Sequence, residues 1–230
     1  MDEATVVVTG ASSGIGEQVT RELAAAGAHP VVCARDADAL QRVAEDIRAE
    51  GGTVTDLRAD VRDEYDVEYL VETAVRTGGE IDGVVANAGV YHGDAGETPL
   101  AEESYAAFDD HLRTNARGVF ATIREAVPHL TADARVVAPT GAVAREGMAG
   151  YGSYAVSKAA AEALVRGFAA ELDATVGAVD PGSVDTDLSG PGGRDPATVA
   201  GMVLWALDAA PADELDGAVV DWGSYRRATR

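Results

Sequence analysis

The 230 residues carry 39 Asp and Glu against 18 Lys and Arg, a formal charge of −21, so the surface repels nucleic-acid phosphates and anionic membranes and neither is expected as a partner. The length suits one α/β domain, which removes roughly 70% of its unfolded-state surface from water. Cys33 is the only cysteine, which excludes an intrachain disulfide, and no apolar run approaches the length of a membrane span.

Met1-Asp2-Glu3 leads straight into strand-like Thr5–Thr9, unlike a signal peptide, so a soluble, cytoplasmic protein is expected. Ile15, Val19, Leu23 and Ala26 then repeat at helical spacing. Thr9-Gly10-Ala11-Ser12-Ser13-Gly14-Ile15-Gly16 joins the two. Glycines permit a tight turn and close approach of the backbone to a ligand. The free N–H groups and dipole of the helix that starts there favour an anion, and the expected guest is a dinucleotide pyrophosphate. The plain alternative is a structural turn.

Val31–Ala34 reads as a second strand, with Cys33 a small buried hydrophobe, and Leu40–Glu50 as a helix ended by Gly51-Gly52. Val54–Ala59 is a third strand, Val67–Thr77 a helix and Ile81–Ala86 a fourth strand. A long helix is expected from about Tyr105 to His129. Arg135–Ala138 is a fifth strand, Tyr154–Leu172 a helix, Thr175–Val179 a sixth strand, Pro196–Ala209 a helix and Ala218–Asp221 a last short strand. Short β-branched runs alternating with helices predict a parallel sheet of about seven strands covered on both faces. No linker or repeat divides residues 1–230, so a single domain is expected.

Lys158 is the only lysine and follows Tyr154 by four residues; the other seventeen basic residues are arginine. Lysine is a compact ammonium whose pKa responds to burial, whereas arginine stays charged. Residues four apart share a helix face, so Tyr154 and Lys158 can enter one cleft. A free tyrosine titrates near pH ~10. A nearby ammonium is expected to lower that value. Acidic excess with lysine depletion also resembles the composition of halophilic proteins, in which salt screens self-repulsion.

The Thr-Gly-x-x-x-Gly-x-Gly turn, Asp60-Val61 after the third strand and Asn87-Ala88-Gly89 after the fourth fall in a familiar order. Asn115 in Thr114-Asn115-Ala116-Arg117-Gly118, Tyr154-x-x-x-Lys158 and Pro181-Gly182-Ser183-Val184-Asp185-Thr186 complete it. Over almost its whole length the chain resembles the short-chain dehydrogenase/reductase family. The resemblance implies a Rossmann-type doubly wound α/β fold and an oxidoreductase acting on a small alcohol or carbonyl. It makes Tyr154 the general acid/base, lets Lys158 bind the ribose hydroxyls, and has Asn115 hold a water that links Lys158 to solvent. It assigns the cofactor to Thr9, Gly10, Ser12, Ser13, Gly14, Ile15 and Gly16 at the phosphates and to Asp60 and Val61 at adenine. Asn87, Ala88 and Gly89 support the pocket, and Pro181, Gly182, Val184 and Thr186 lie near the nicotinamide.

The family's acidic residue at the end of the second strand is Ala34 here, and Arg35 follows. An arginine there can pair with a 2′-phosphate, which predicts NADP(H) as preferred; Asp36, if turned inward, leaves NAD(H) possible. The family's serine about thirteen residues before the tyrosine is Gly141. Thr140, with equal donor and acceptor capacity, is expected to replace it. The segment 187–195 is a short, glycine-rich lid that disfavours helix, so the cleft is expected to be open or closed by a neighbouring subunit. Relatives pair through the long helix and the Tyr154 helix, which implies a homodimer or homotetramer. No metal ion is expected. A 3-oxoacyl thioester reductase and a sugar dehydrogenase both remain open. The reading from another class is a dinucleotide-binding sensor or scaffold with little catalysis, motivated by the missing serine and the short lid.

Overall fold

Valine-rich runs bounded by glycine and polar turns fold as seven strands: β1 (Thr5–Thr9), β2 (His29–Ala34), β3 (Thr55–Arg58), β4 (Ile81–Val85), β5 (Leu130–Pro139), β6 (Thr175–Asp180) and β7 (Val219–Asp221), in a computed structural model that describes residues 1–230. They form one sheet in the order β3-β2-β1-β4-β5-β6-β7, with every pair parallel. The order reverses between β1 and β4. A crevice opens outside the carboxyl ends of strands at such a reversal, and the site described below lies there.

The helices are α1 (Gly14–Ala25), α2 (Ala37–Ala49), α3 (Glu64–Gly78), α4 (Tyr105–His111), α5 (Gly118–Ala126), α6 (Gly152–Glu171), α7 (Pro196–Asp208), α8 (Ala212–Leu215) and α9 (Trp222–Ala228). Successive strand residues face opposite sides. Val6 and Val8 therefore pack with Leu23, Leu40 and Val203 of α1, α2 and α7. Val7 packs instead with Leu70, Ile123 and Val165 of α3, α5 and α6. This double cover is the predicted Rossmann-type arrangement.

Three departures have local causes. The single helix expected from Tyr105 to His129 is α4, a π-helical segment Leu112–Arg117, α5 and a 3₁₀ turn Val127–His129. Such wide turns concentrate at functional positions, and they slip the apolar register that helical periodicity relies on. Strand β5 starts at Leu130, which pairs with Ile81 before the register shifts and Arg135 joins Gly83; polar Thr131-Ala132-Asp133 concealed that start. Helices α8 and α9 are too short for periodicity to reveal. The segment 187–195 forms no helix. It folds back through bridges Thr186↔Gly190 and Val184↔Arg194, with Asp185 N–H donating to Arg194 O at 2.8 Å. No helix is long and apolar enough to cross a membrane.

Candidate active site

The β1–α1 turn is built for close approach. Gly10 has φ +71°, and a Cβ there would stand 2.8 Å from Ala88 Cα; a Cβ on Gly16 would collide with the Gly10 carbonyl. Thr9 Oγ1 accepts from the N–H groups of Asn87 and Ala88, each at 3.1 Å. Asn87 Nδ2 donates back to Thr9 O at 3.0 Å and Gly10 O at 3.1 Å. The turn after β4 is thereby fastened to the turn after β1. Of the predicted phosphate cradle, Gly10, Ser12, Ser13, Gly14 and Ile15 line the cleft, whereas Thr9 and Gly16 hold its wall from behind. Ser13 is the N-cap of α1 but makes no side-chain capping bond, so its hydroxyl and the first N–H groups of α1 are available to an anion.

At the β2 end, Arg35 and Asp36 line the cleft with Asp60 and Val61. Arg35 is exposed. Asp36 Oδ1 accepts from Ala39 N–H at 3.0 Å and caps α2. Asp60 is bound to Arg62 at 2.6 Å, and Arg62 continues to Asp110 at 2.6 Å. Burial works to raise the Asp60 pKa, but the Arg62 bonds prevail and hold it below the usual range.

Tyr154 and Lys158 of α6 both reach the cleft, with Lys158 Nζ 5.8 Å from the Tyr154 ring centroid. Lys158 Nζ donates to Pro139 O at 3.0 Å. Burial draws its pKa down to about 8, against the opposing charge of Glu162. Burial pushes the Tyr154 phenol above its ordinary value, with Tyr91, Tyr151 and Asp180 adding to the rise. The expected lowering is therefore not a property of the protein alone. The desolvation that disfavours phenolate also weakens the ammonium meant to stabilise it. The Tyr91 ring lies 4.6 Å from that of Tyr154.

Asn115, 1% exposed, sits in the π-helical segment. Its Nδ2 donates to Val90 O and Ser157 Oγ, both at 2.9 Å, and its Oδ1 accepts from Val90 N–H at 2.8 Å. The side chain therefore ties the loop after Asn87-Ala88-Gly89 to α6 and makes no bond to Lys158.

Thr140 lines the cleft, but its hydroxyl donates to Glu162 Oε1 at 2.7 Å. Buried Glu162 also accepts from Arg145, whose other arm binds Asp180. The hydroxyl expected to replace the serine is thus engaged by Glu162, itself held by Arg145, in this structure. At Gly141 the backbone is extended, φ −159° and ψ 164°, and a Cβ would meet only Val143 Cγ2 at 3.9 Å. The Arg145–Glu162–Asp180 cluster went unread in the sequence, although Glu162 follows Lys158 by four residues and shares its helix face. Tyr91 carried no signal at all.

Pro181, Gly182, Val184 and Thr186 also line the cleft, with Leu188 and Ser189 of the lid. The whole cleft encloses about 570 Å³.

A family model described as short chain dehydrogenase matches residues 4–196. The chain is 34% identical over 222 residues to glycine betaine reductase ATRR of Emericella nidulans, covering 87% of this chain and 17% of that protein. It is 35% identical over 193 residues to the short-chain dehydrogenase/reductase FrzI of Cladobotryum sp., covering 82% of this chain and 73% of the relative. Among solved structures, a short chain dehydrogenase from Burkholderia cenocepacia J2315 in complex with NADP is 28% identical, with a TM-score of 0.86 over 96% of each chain.

Proposed function

Because the chain belongs to the short-chain dehydrogenase/reductase family, whose reductases and dehydrogenases act on hydroxyl and carbonyl groups, we propose that it is an NADP(H)-dependent oxidoreductase of a secondary alcohol or ketone with Tyr154 as general acid/base. One observation carries the reading: a phenol and the chain's only lysine enter the same cleft as the glycine turn and the uncapped start of α1. The residues present fit a dinucleotide. Glycines stand where side chains would fill the cradle, and Asp36, the acidic rival for the ribose, is committed to capping α2. Arg35 is left to meet a 2′-phosphate, and the solved relative in complex with NADP supports that choice.

The nicotinamide, when bound, supplies or accepts the hydride. Tyr154, held protonated by its burial, gives its hydroxyl proton to the carbonyl oxygen in reduction and takes it back in oxidation. Lys158, cationic below about pH 8, stabilises the phenolate left behind and binds ribose hydroxyls. Asn115 keeps α6 and the β4 loop in register, so that Tyr154 faces the nicotinamide wall.

The test is a carbonyl panel with NADPH, wild type against Tyr154→Phe. Turnover lost in the variant with NADPH affinity intact is the expected result; equal turnover in both removes Tyr154 from the chemistry. Arg35→Ala should weaken NADPH about ten- to hundred-fold and NADH little, as loss of a charge-assisted bidentate contact requires. Equal losses overturn the cofactor assignment. Thr140 turned to Glu162 and the bare Gly141 favour a second reading, a dinucleotide-binding sensor or scaffold. Tight NADPH binding without turnover of any carbonyl decides for it.

A further inference from the structure

We propose that the substrate is a neutral, predominantly apolar ketone or alcohol, and that the cleft rejects carboxylate- or phosphate-bearing analogues of the same skeleton. The inference rests on the oxidoreductase reading above and narrows it. Beyond Tyr154, away from the β2 end, the loops after β4, β5 and β6 contribute the apolar Ala95, Val143, Met148 and Leu188 and the phenol Tyr151, with hydroxyls of Thr140, Ser183, Thr186 and Ser189 between them. The charged side chain in that half is Asp187, an anion. The cleft holds two cations in all. Arg35 lies at the far, adenosine end, and Lys158 is bonded to Pro139 O beside the phenol.

Two further arginines stand close enough to be candidates for an anionic group, and both are taken. Arg145 is pinned between Glu162 and Asp180. Arg194 donates to Pro181 O at 2.6 Å and stacks over Trp222 with its guanidinium carbon 4.8 Å from the ring centroid. Freeing either would leave buried carboxylates, or the loop that carries Pro181, without a partner. A carboxylate entering this half would lose its hydration without a compensating cation. It would also face Asp187 within a molecule of charge −21, and an unpaired charge of the wrong sign is how a site rejects a competitor.

The same lining bears on the two substrates left open by the sequence. A sugar carries a hydroxyl on nearly every carbon and needs a matching set of polar side chains. Of the hydroxyls at this end, those of Thr140, Thr186 and Ser189 are already bonded within the protein, which leaves Tyr151 and Ser183, too few to match a sugar. Gly141, with its vacant Cβ direction, leaves room in the same lining.

The experiment measures kcat/KM with NADPH for cyclic and aryl ketones. Each is assayed as the neutral parent, as a ring-carboxylated analogue and as that acid's methyl ester, which controls for size. The parent and the ester are expected to be reduced comparably, and the acid roughly a hundred-fold more slowly. Leu188→Arg, which places a cation on the lid, should narrow that ratio about ten-fold. An acid reduced as well as its ester overturns the inference and leaves the oxidoreductase reading standing. Turnover of none of the compounds, with NADPH bound, overturns this inference; the oxidoreductase reading falls with it only if no carbonyl of the wider panel is reduced.

Discussion

Position 141 carries no hydroxyl that could polarise a carbonyl in the proposed reduction. Removing one donor aimed at a developing oxyanion costs roughly 10²–10³ in rate, and Thr140 cannot supply that donor while it serves Glu162. The backbone at Gly141 is extended and a Cβ there has room, so Gly141→Ser is expected to fold normally and to raise kcat for a neutral ketone about ten-fold or more. Steady-state kinetics with NADPH at saturation check this; an unchanged or lower kcat shows that the wild-type site polarises the carbonyl by other means. Lys158 makes a second residue-scale prediction. Its folded pKa of about 8 lies below the ~10.4 of a free lysine. The folded state therefore binds fewer protons between those values, and stability rises with pH across that window. Below it the buried charge is a standing penalty, fully present at neutral pH. Lys158→Met should thus abolish reduction yet raise Tm by a few degrees at pH 7, on the order of 2 kcal/mol, with the gain shrinking as pH climbs through 8 to 10. Wild-type reduction should be flat through neutral pH and fall above about 8 as the ammonium discharges. The raised Tyr154 adds no limb there. A Tm that drops in the variant at pH 7 contradicts the penalty.

The helix that carries Tyr154 and Lys158 is held at its start by residues distant in sequence. Glu103 Oε2 accepts from Ser153 N–H at 2.6 Å, and Glu103 Oε1 lies 3.2 Å from His111 Nδ1. His111, fully buried, bonds Ser153 Oγ through Nδ1 at 2.7 Å and accepts from His92 N–H through Nε2 at 2.9 Å. Burial lowers the His111 pKa, so the ring is neutral at physiological pH. A carboxylate at a helix N-terminus satisfies an orphan donor and meets the positive end of the dipole. Glu103→Ala should cost about 2–3 kcal/mol, and should lower kcat more than NADPH affinity, because the first turn of α6 aims the phenol while the phosphate cradle lies on α1. Glu103→Gln should recover much of the Tm. Thermal melts and kinetics on the pair check this; equal losses in kcat and NADPH affinity point to general unfolding instead. None of this cap was legible in the sequence, since Glu103 and Ser153 are fifty residues apart and nothing local marks them as partners. The strands were legible for the opposite reason. Thr5–Thr9 is buried on both faces, and a short β-branched run between glycine turns has few other places to go. The long helix was read in the right place but as one element. The π-helical segment that buries Asn115 leaves no trace in residue type. In the site, motif residues that line the cleft were identifiable by spacing; the orientation of the Thr140 hydroxyl was not, because it depends on Arg145, Glu162 and Asp180 meeting from three elements.

Over the whole molecule, 39 acidic side chains stand against 18 basic ones, and several of those basic groups are already occupied. Arg145 serves two carboxylates at the cleft, Arg62 binds Asp60 and Asp110, and Arg117 binds Glu64. The remaining acidic excess is uncompensated and pushes outward on the folded chain. Screening shortens the reach of that repulsion from about 10 Å at 0.1 M salt to about 3 Å at 1 M. Salt also weakens the exposed ion pairs, but each of those contributes only about 0–1 kcal/mol, whereas the repulsion is summed over the full surplus. Stability is therefore expected to rise with salt, by about 10 °C or more in Tm between 0.1 M and 2 M KCl, most of it gained by ~1 M, where screening is already short-ranged. Sucrose matched for its general stabilising effect should give a smaller gain, which separates charge screening from preferential exclusion. Reversing the charge of five exposed Asp and Glu residues far from the cleft should flatten the salt response while leaving the Tyr154 chemistry intact. A Tm that is high in dilute buffer and insensitive to KCl means the acidic surface serves solubility alone.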